Sequence, residues 1–228
     1  NWMSECAKNS KLFKNNPIFT IPNPIDCKKW RPIGKEEARN QLKLPIDKKI
    51  ILFGALDIKE FRKGAHLLFG ALKKLNLLLE QNMIKKLEIV IFGDLNKKEF
   101  PDLNLPTRFS GSINNDEILN YFYSSADVFV NPSTLESFGQ TASEASSCST
   151  PVVAFKTSGL IDVVDHLSTG FLAKPFNVES LADGIKWVIE DEERNILLGK
   201  NARKKAVKEW DYKVVSKKYL EVYNKAVL

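Results

Sequence analysis

The chain has 228 residues, of which 43% are hydrophobic and 27% charged, with a formal charge of +6. This length supports a well-buried core, and the absence of any apolar run near roughly 18 residues excludes a sequence-evident bilayer span. Three cysteines, Cys6, Cys27 and Cys148, are too few and too irregularly spaced for a disulfide framework or a thiolate metal site.

The basic balance leaves nucleic acid, an anionic membrane surface or a phosphate-bearing ligand open as partners. Lys28-Lys29, Lys48-Lys49, Lys73-Lys74 and Lys85-Lys86 account for much of the excess and read as solvated helix faces and loop ends. The cysteine usage suits a reducing, cytoplasmic setting. The opening residues lack a signal-peptide pattern, and a chain that begins at Asn1 is expected to be a piece of something longer.

In chain order, Asn15-Asn16-Pro17 and Ile21-Pro22-Asn23-Pro24 interrupt regular structure, so a linker enters the main domain near residue 21. Short β-branched apolar runs then predict strands at Ile50–Gly54, Leu87–Phe92, Thr107–Phe109, Val128–Asn131, Val152–Phe155 and Gly170–Ala173. Several are apolar throughout rather than alternating, as strands buried on both faces of a parallel sheet require. Helices are expected at Gly64–Gln81, Asp116–Ser124, Gly139–Cys148, Val178–Glu190, Glu193–Trp210 and Lys213–Ala226. In the first of these, Leu67, Leu68, Ala71, Leu72, Leu75, Leu78 and Leu79 form a stripe at helical period. Strand and helix in repeated alternation predict an α/β fold: a Rossmann-like parallel sheet flanked by helices.

Ligands of such sheets bind beyond the carboxyl ends of the strands. Three loops there carry unusual residues. After Val128–Asn131 comes a small polar loop and a helix opening near Phe138-Gly139, whose amides and dipole suit an anion. Gly139 allows close backbone approach, Thr141 adds a hydroxyl, and Glu136 and Glu144 are placed to accept from sugar hydroxyls. The same loop also reads simply as a helix capped by Ser133 or Thr134 with two surface carboxylates. After Ile50–Gly54, Arg62 and Lys63 precede Gly64 at a helix start, a pairing suited to a diphosphate or merely a basic loop. Phe92-Gly93-Asp94 and Phe109-Ser110-Gly111-Ser112-Ile113 make a glycine turn that would admit a nucleobase, or an ordinary pair of turns. His66 and His166 read as structural or solvent-exposed.

Taken in order, Ile21–Asp26 with Trp30-Arg31-Pro32, Lys63-Gly64, Phe92–Asp94, Gly111 with Ile113, and Glu136-x₇-Glu144 enclosing Phe138-Gly139 resemble the C-terminal, donor-binding domain of GT-B-fold retaining glycosyltransferases of family 4. Pro151–Ala154 and Thr169–Leu172 fit the same pattern. The resemblance runs from about Ile21 to the chain's end. It implies that Glu144 accepts from the nucleotide ribose and that Glu136, as the catalytic carboxylate, faces the donor sugar at its reacting carbon. It further implies that the amides near Gly139, Gln140 and Thr141 hold the diphosphate with Lys63 opposite, that Phe138 and Arg62 belong to the same donor-binding set, and that Gly111 and Ile113 frame the base. It implies no metal and no cofactor, since cations and helix dipoles stabilise the leaving group. Two departures stand out: Ala55 replaces the arginine usual after the first strand, with Arg62 a substitute, and Ser158-Gly159 with Asp162 replaces a Gly-Gly-x-Pro-Glu turn.

On this resemblance, residues 1–20 are a remnant of an N-terminal acceptor domain or a linker, 21–212 the nucleotide-sugar-binding domain, and 213–228 a helix crossing back to the absent domain. The apolar residues Val215, Tyr219, Val222 and Tyr223 on that helix would then be partly exposed. The partners implied are a nucleoside-diphosphate sugar, the N-terminal domain and a lipid-linked or peripheral-membrane acceptor, in a cytoplasmic location extending to the inner membrane face. The expected function is retaining sugar transfer in glycan or polysaccharide biosynthesis, with the isolated piece inactive in transfer. A nucleotide-sugar epimerase of related fold and a non-catalytic nucleotide-binding module share parts of the pattern. A nucleic-acid binder is disfavoured, because the basic residues form no aromatic-interleaved stripe.

Overall fold

The computed structural model describes residues 2–55, 57–94 and 100–227. In chain order the elements are α1 (Trp2–Lys8), α2 (Lys35–Gln41), β1 (Lys49–Gly54), a 3₁₀ turn (Phe61–Lys63), α3 (Ala65–Leu78), α4 (Gln81–Lys85), β2 (Leu87–Phe92), β3 (Thr107–Phe109) and α5 (Asp116–Ser125). There follow β4 (Val128–Asn131), α6 (Gln140–Ser147), β5 (Val152–Phe155), α7 (Leu160–Val163), β6 (Gly170–Ala173), α8 (Val178–Ile189), α9 (Glu192–Glu209) and α10 (Tyr212–Val227). The strands pair in parallel in the order β3-β2-β1-β4-β5-β6. The order reverses between β1 and β4, which makes the crevice above those two strands the topological switch point.

The central strands are largely apolar because each feeds two cores. Ile51 and Phe53 of β1, Ile89 and Ile91 of β2 and Val128 and Val130 of β4 pack with α3 and α8. Ile50 and Leu52, Val90 and Phe92, and Phe129 face the other side, toward α5, α6 and the end of α9. Each large side chain buried in this way contributes about 1.5–3 kcal/mol relative to exposure.

Three expectations are corrected. The helix expected over Gly64–Gln81 stops at Leu78, where Leu79 turns extended, and a separate short helix begins at Gln81. Of the stripe's last two leucines, Leu78 is exposed while Leu79, past the helix end, still packs against the core. The short α2 and α7 were not foreseen; each is a turn or two with little periodicity to read. Val215 is buried rather than partly exposed, because Ile25 ties the start of α10 to the domain through Ile25 N–H to Trp210 O (2.8 Å) and Tyr212 N–H to Ile25 O (3.2 Å). Tyr219 and Tyr223 are exposed as expected. All three cysteines are free, Cys27 and Cys148 buried. Among the described residues no helix is long and apolar enough to cross a membrane.

Candidate functional site

The loops after β1 and β4 close on each other at the switch point. Gly64 has φ +70°, and a Cβ there would collide with the Pro132 carbonyl oxygen, so glycine is needed on both counts. Thr134 N–H donates to the Arg62 carbonyl at 2.8 Å, locking the two loops together. Lys63 and Arg62 are thereby set beside Glu136. Lys63 Nζ lies 2.7 Å from Glu136 Oε1, and Arg62 Nη1 lies 3.8 Å from Oε2. Ser133 Oγ donates to the same Oε1 at 2.9 Å. The Arg62 guanidinium also pairs with Glu60.

Glu136 is fixed from behind as well. Its N–H donates to Ser158 Oγ at 2.9 Å, and its carbonyl accepts from Gly159 N–H at 2.8 Å. The Ser158-Gly159 departure therefore has a visible job, since it clamps the backbone of this carboxylate. Asp162, one turn further, accepts from the Trp2 main-chain N–H at 3.3 Å.

Helix α6 opens from Gly139 at φ +93°, with no side chain capping its first amides. The first turn of a helix has no intrahelical acceptors for these groups, and they carry the positive end of its dipole. Helix α3 likewise opens uncapped, from Gly64. By contrast α5, α8 and α9 are capped by Asn115, Asn177 and Asp191, and Asp211 accepts from Lys213 N–H at the start of α10. Among these longer helices, the two left open are those that follow the central strands.

Thr141 on the first turn of α6 accepts from Asn131 Nδ2 at 3.4 Å. Gln140 is exposed and donates through Nε2 to Glu144 Oε1 at 3.2 Å. Glu144 is 8% exposed and accepts from Tyr123 Oη at 2.9 Å. Burial pushes its carboxyl up to about 7, opposed by the hydrogen bonds from Tyr123 and Gln140. The glycine turns meet as read from the sequence: Gly93 N–H donates to Gly111 O at 2.8 Å, with Gly111 exposed and Ile113 half-buried against the core.

The site residues do not all lie together in the sense expected. Phe138 is buried, its ring set edge-on to Trp210 at 5.7 Å, so only its main chain is available at the helix start. Ala55 is buried in the core, whereas Arg62 reaches the cleft from the 3₁₀ turn. Asn131, Ser133, Ser158 and Tyr123 were not singled out as site residues from sequence; the small polar run Asn131–Thr134 was the only signal for the first two. His66 is exposed and stacks on Phe61 at 4.2 Å, and His166 accepts from Leu172 N–H at 3.0 Å.

A cavity of about 620 Å³ lies elsewhere, between the linker at Thr20–Asn23 and the face of Ile161, Lys205 and Trp210. The cleft over β1 and β4 measures only about 10 Å³, lined by Ala55, Lys63, Asn131, Glu136 and Thr141. Chemistry favours this cleft over the 620 Å³ cavity, because it joins Lys63 and Arg62, the Glu136 carboxylate and the first turn of an uncapped helix at a switch point. Among the described residues no group of three or more His, Cys, Asp or Glu is placed to hold a metal ion.

Residues 34–205 match the family model described as glycosyl transferases group 1. The chain is similar to an uncharacterized glycosyltransferase of Methanocaldococcus jannaschii, 32% identical over 197 residues, covering 83% of this chain and 48% of that protein. Among solved structures it is similar to a sucrose-phosphate synthase from Thermosynechococcus elongatus, with a TM-score of 0.81 and 28% identity over 98% of this chain and 56% of that one. HepE from Anabaena, solved in complex with UDP and glucose, shares the fold at a TM-score of 0.74 and 23% identity, over 90% of this chain and 56% of that one. The chain thus spans about half the length of these relatives.

Proposed function

The chain belongs to the glycosyl transferases group 1 family, and from that premise we propose that it forms the donor-binding half of a retaining, family 4 glycosyltransferase. The observation that carries this reading is the Lys63–Glu136 pair, 2.7 Å apart, sharing the switch-point cleft with Thr141 on the first turn of the uncapped α6. A nucleoside diphosphate has the charge and shape for that arrangement. Its phosphates take the α6 amides at Gly139–Thr141 and the cations of Lys63 and Arg62, which displace or share Glu136 as they turn to the ligand. The ribose hydroxyls donate to Glu144. The base lies along Gly111 and Ile113. Arg62 supplies the guanidinium for which Ala55 has no side chain.

In this reading the departing diphosphate gathers negative charge as the sugar–oxygen bond breaks. Lys63, Arg62 and the α6 dipole meet that charge with groups already in place, so little reorganisation is needed at the moment of reaction, and neither metal nor cofactor is called on. Glu136, freed from Lys63, stands at the sugar side of the cleft and steadies the cationic ring carbon. The acceptor is held by a further domain, for which the relatives' extra length leaves room, with α10 packing back upon it and residues 1–20 leading from it. A lipid-linked acceptor at the inner membrane face and a role in glycan or polysaccharide synthesis complete the proposal. HepE, whose complex contains UDP and glucose, supports the ligand class.

Calorimetric titration with UDP, GDP, ADP and their sugar conjugates tests it. One base family is expected to bind, with affinity reduced at least about tenfold, ~1.4 kcal/mol, in Glu144→Ala. Binding of none, or an unaltered affinity in the variant, would contradict the proposal.

A further inference from the structure

Glu144 sits where a carboxylate is costly. It is almost fully buried, and the hydrogen-bond partners the described residues give it, Tyr123 and Gln140, are both neutral. A buried tyrosine hydroxyl needs only an acceptor, and a main-chain carbonyl would serve without placing an ionisable group in the interior. The Tyr123 ring is packed on several sides. It is fully buried, with Trp30, Phe92 and Phe129 edge-on to it at 5.8, 6.0 and 5.4 Å. Its carbonyl is tied to Thr150 Oγ1 at 2.6 Å. The hydroxyl therefore reaches Glu144 from a fixed point.

We propose that Tyr123 is a positioning residue for the nucleotide ribose: its hydroxyl pins Glu144 Oε2, so that the carboxylate's remaining lone pairs meet the 2′ and 3′ hydroxyls in one set orientation. This rests on the reading of Glu144 as the ribose acceptor. The same bond favours the ionised carboxyl, against burial. Of the other groups facing Glu144, Asp116 on α5 acts with burial, while Gln140 on α6 and Lys29 before α2 act against it. Cys148, just past the end of the same helix, stays a neutral thiol because burial and Glu144 itself raise it, despite Arg203 of α9 nearby. Tyr123 is raised well above its ordinary value and remains a donor. Ribose recognition should thus strengthen as pH rises through about 7, when Glu144 ionises and its hydrogen bonds become charge-assisted.

The test compares a nucleoside diphosphate (UDP, GDP or ADP, whichever the parent chain binds) with its 2′-deoxy counterpart, by calorimetry from about pH 6 to pH 9. The ratio of the two affinities cancels protonation of the terminal phosphate, which both ligands share. In the parent the ratio should climb with a midpoint near 7. In Tyr123→Phe the midpoint should move upward, and the ratio at neutral pH should fall about three- to tenfold and stay below the parent's in alkali, where the carboxylate is ionised but no longer pinned. Glu144→Gln should give a small ratio that is flat with pH. Replacing all five tyrosines by 3-fluorotyrosine, a more acidic donor, should move the midpoint downward without any sequence change, and this arm holds even if Tyr123→Phe folds poorly. A Tyr123→Phe chain with the parent's ratio and midpoint, or a fluorinated chain with no displacement, overturns the inference while leaving the ribose reading intact. A parent that binds no nucleoside diphosphate overturns the ribose reading, and the inference with it.

Discussion

At the amino ends of β1 and β4, Asp127 is buried with every oxygen engaged. Its carboxylate accepts from Arg39 Nη2 and Ile50 N–H, each at 2.7 Å, and pairs with Lys35 Nζ at 2.8 Å, while its carbonyl accepts from Asn195 Nδ2. Arg39 in turn donates to the carbonyls of Ser125, Ile46 and Lys48. On the helix that starts at the carboxyl end of β4, Glu144 is nearly as buried but faces only neutral donors. Above it two helices begin without caps. One end of the sheet has its charge internally compensated; the other leaves donors and acceptors for something outside the chain. Stability and ligand chemistry are thus separated along the same two strands.

Variants at the two ends should behave oppositely. Asp127→Ala strands a buried guanidinium and should cost about 3–5 kcal/mol of unfolding free energy, measured by urea titration, while the fraction still folded keeps the parent's nucleotide affinity. Lost affinity in folded Asp127→Ala would break the separation.

Glu144→Gln should do the reverse. The Glu144 carboxyl ionises near 4.5 in its ordinary state and near 7 when folded, so between those values the folded chain holds the extra proton. Its contribution to stability is complete below the lower value and is lost as pH rises through the upper, by at most about 3 kcal/mol. Glu144→Gln removes that loss, and should be about 1–3 kcal/mol more stable than the parent at pH 8 but no more stable near pH 4. Equal denaturation midpoints at pH 8 would show that the site carries no such cost.

Arg62→Ala should have the smallest effect, about a tenfold loss of nucleoside diphosphate affinity, ~1.4 kcal/mol, with unfolding unchanged because the side chain is 41% exposed. An unchanged affinity would remove Arg62 from the site and leave Lys63 as its cation.

The same division explains what could be read from sequence. All six strands were legible as short runs rich in β-branched and aromatic residues, four of them buried almost throughout, and Lys63, Glu136 and Gly139 were legible because they fall between a strand end and a helix start, in loops marked by Gly64, Pro132 and Gly139 itself. Glu144 was visible as half of a spaced pair, but its partner was not. Tyr123 lies 21 residues earlier on another helix, and only the packing of α5 on α6 brings the two together. The clamp on Glu136 by Ser158 and Gly159 was hidden for the same reason. The packing of the Phe138 ring on Trp210 was hidden likewise, since it joins residues far apart in the chain.

The most direct measurement is a crystal structure of the chain grown with the nucleoside diphosphate that binds in calorimetry. The expected result places the diphosphate within hydrogen-bond distance of the Gly139–Thr141 amides and of Lys63 Nζ, with the ribose on Glu144 and the Lys63–Glu136 contact lengthened from its 2.7 Å. A nucleotide lodged instead in the 620 Å³ cavity beside Trp210, with Lys63 still held by Glu136, would contradict the assignment of the donor site to the carboxyl end of the sheet.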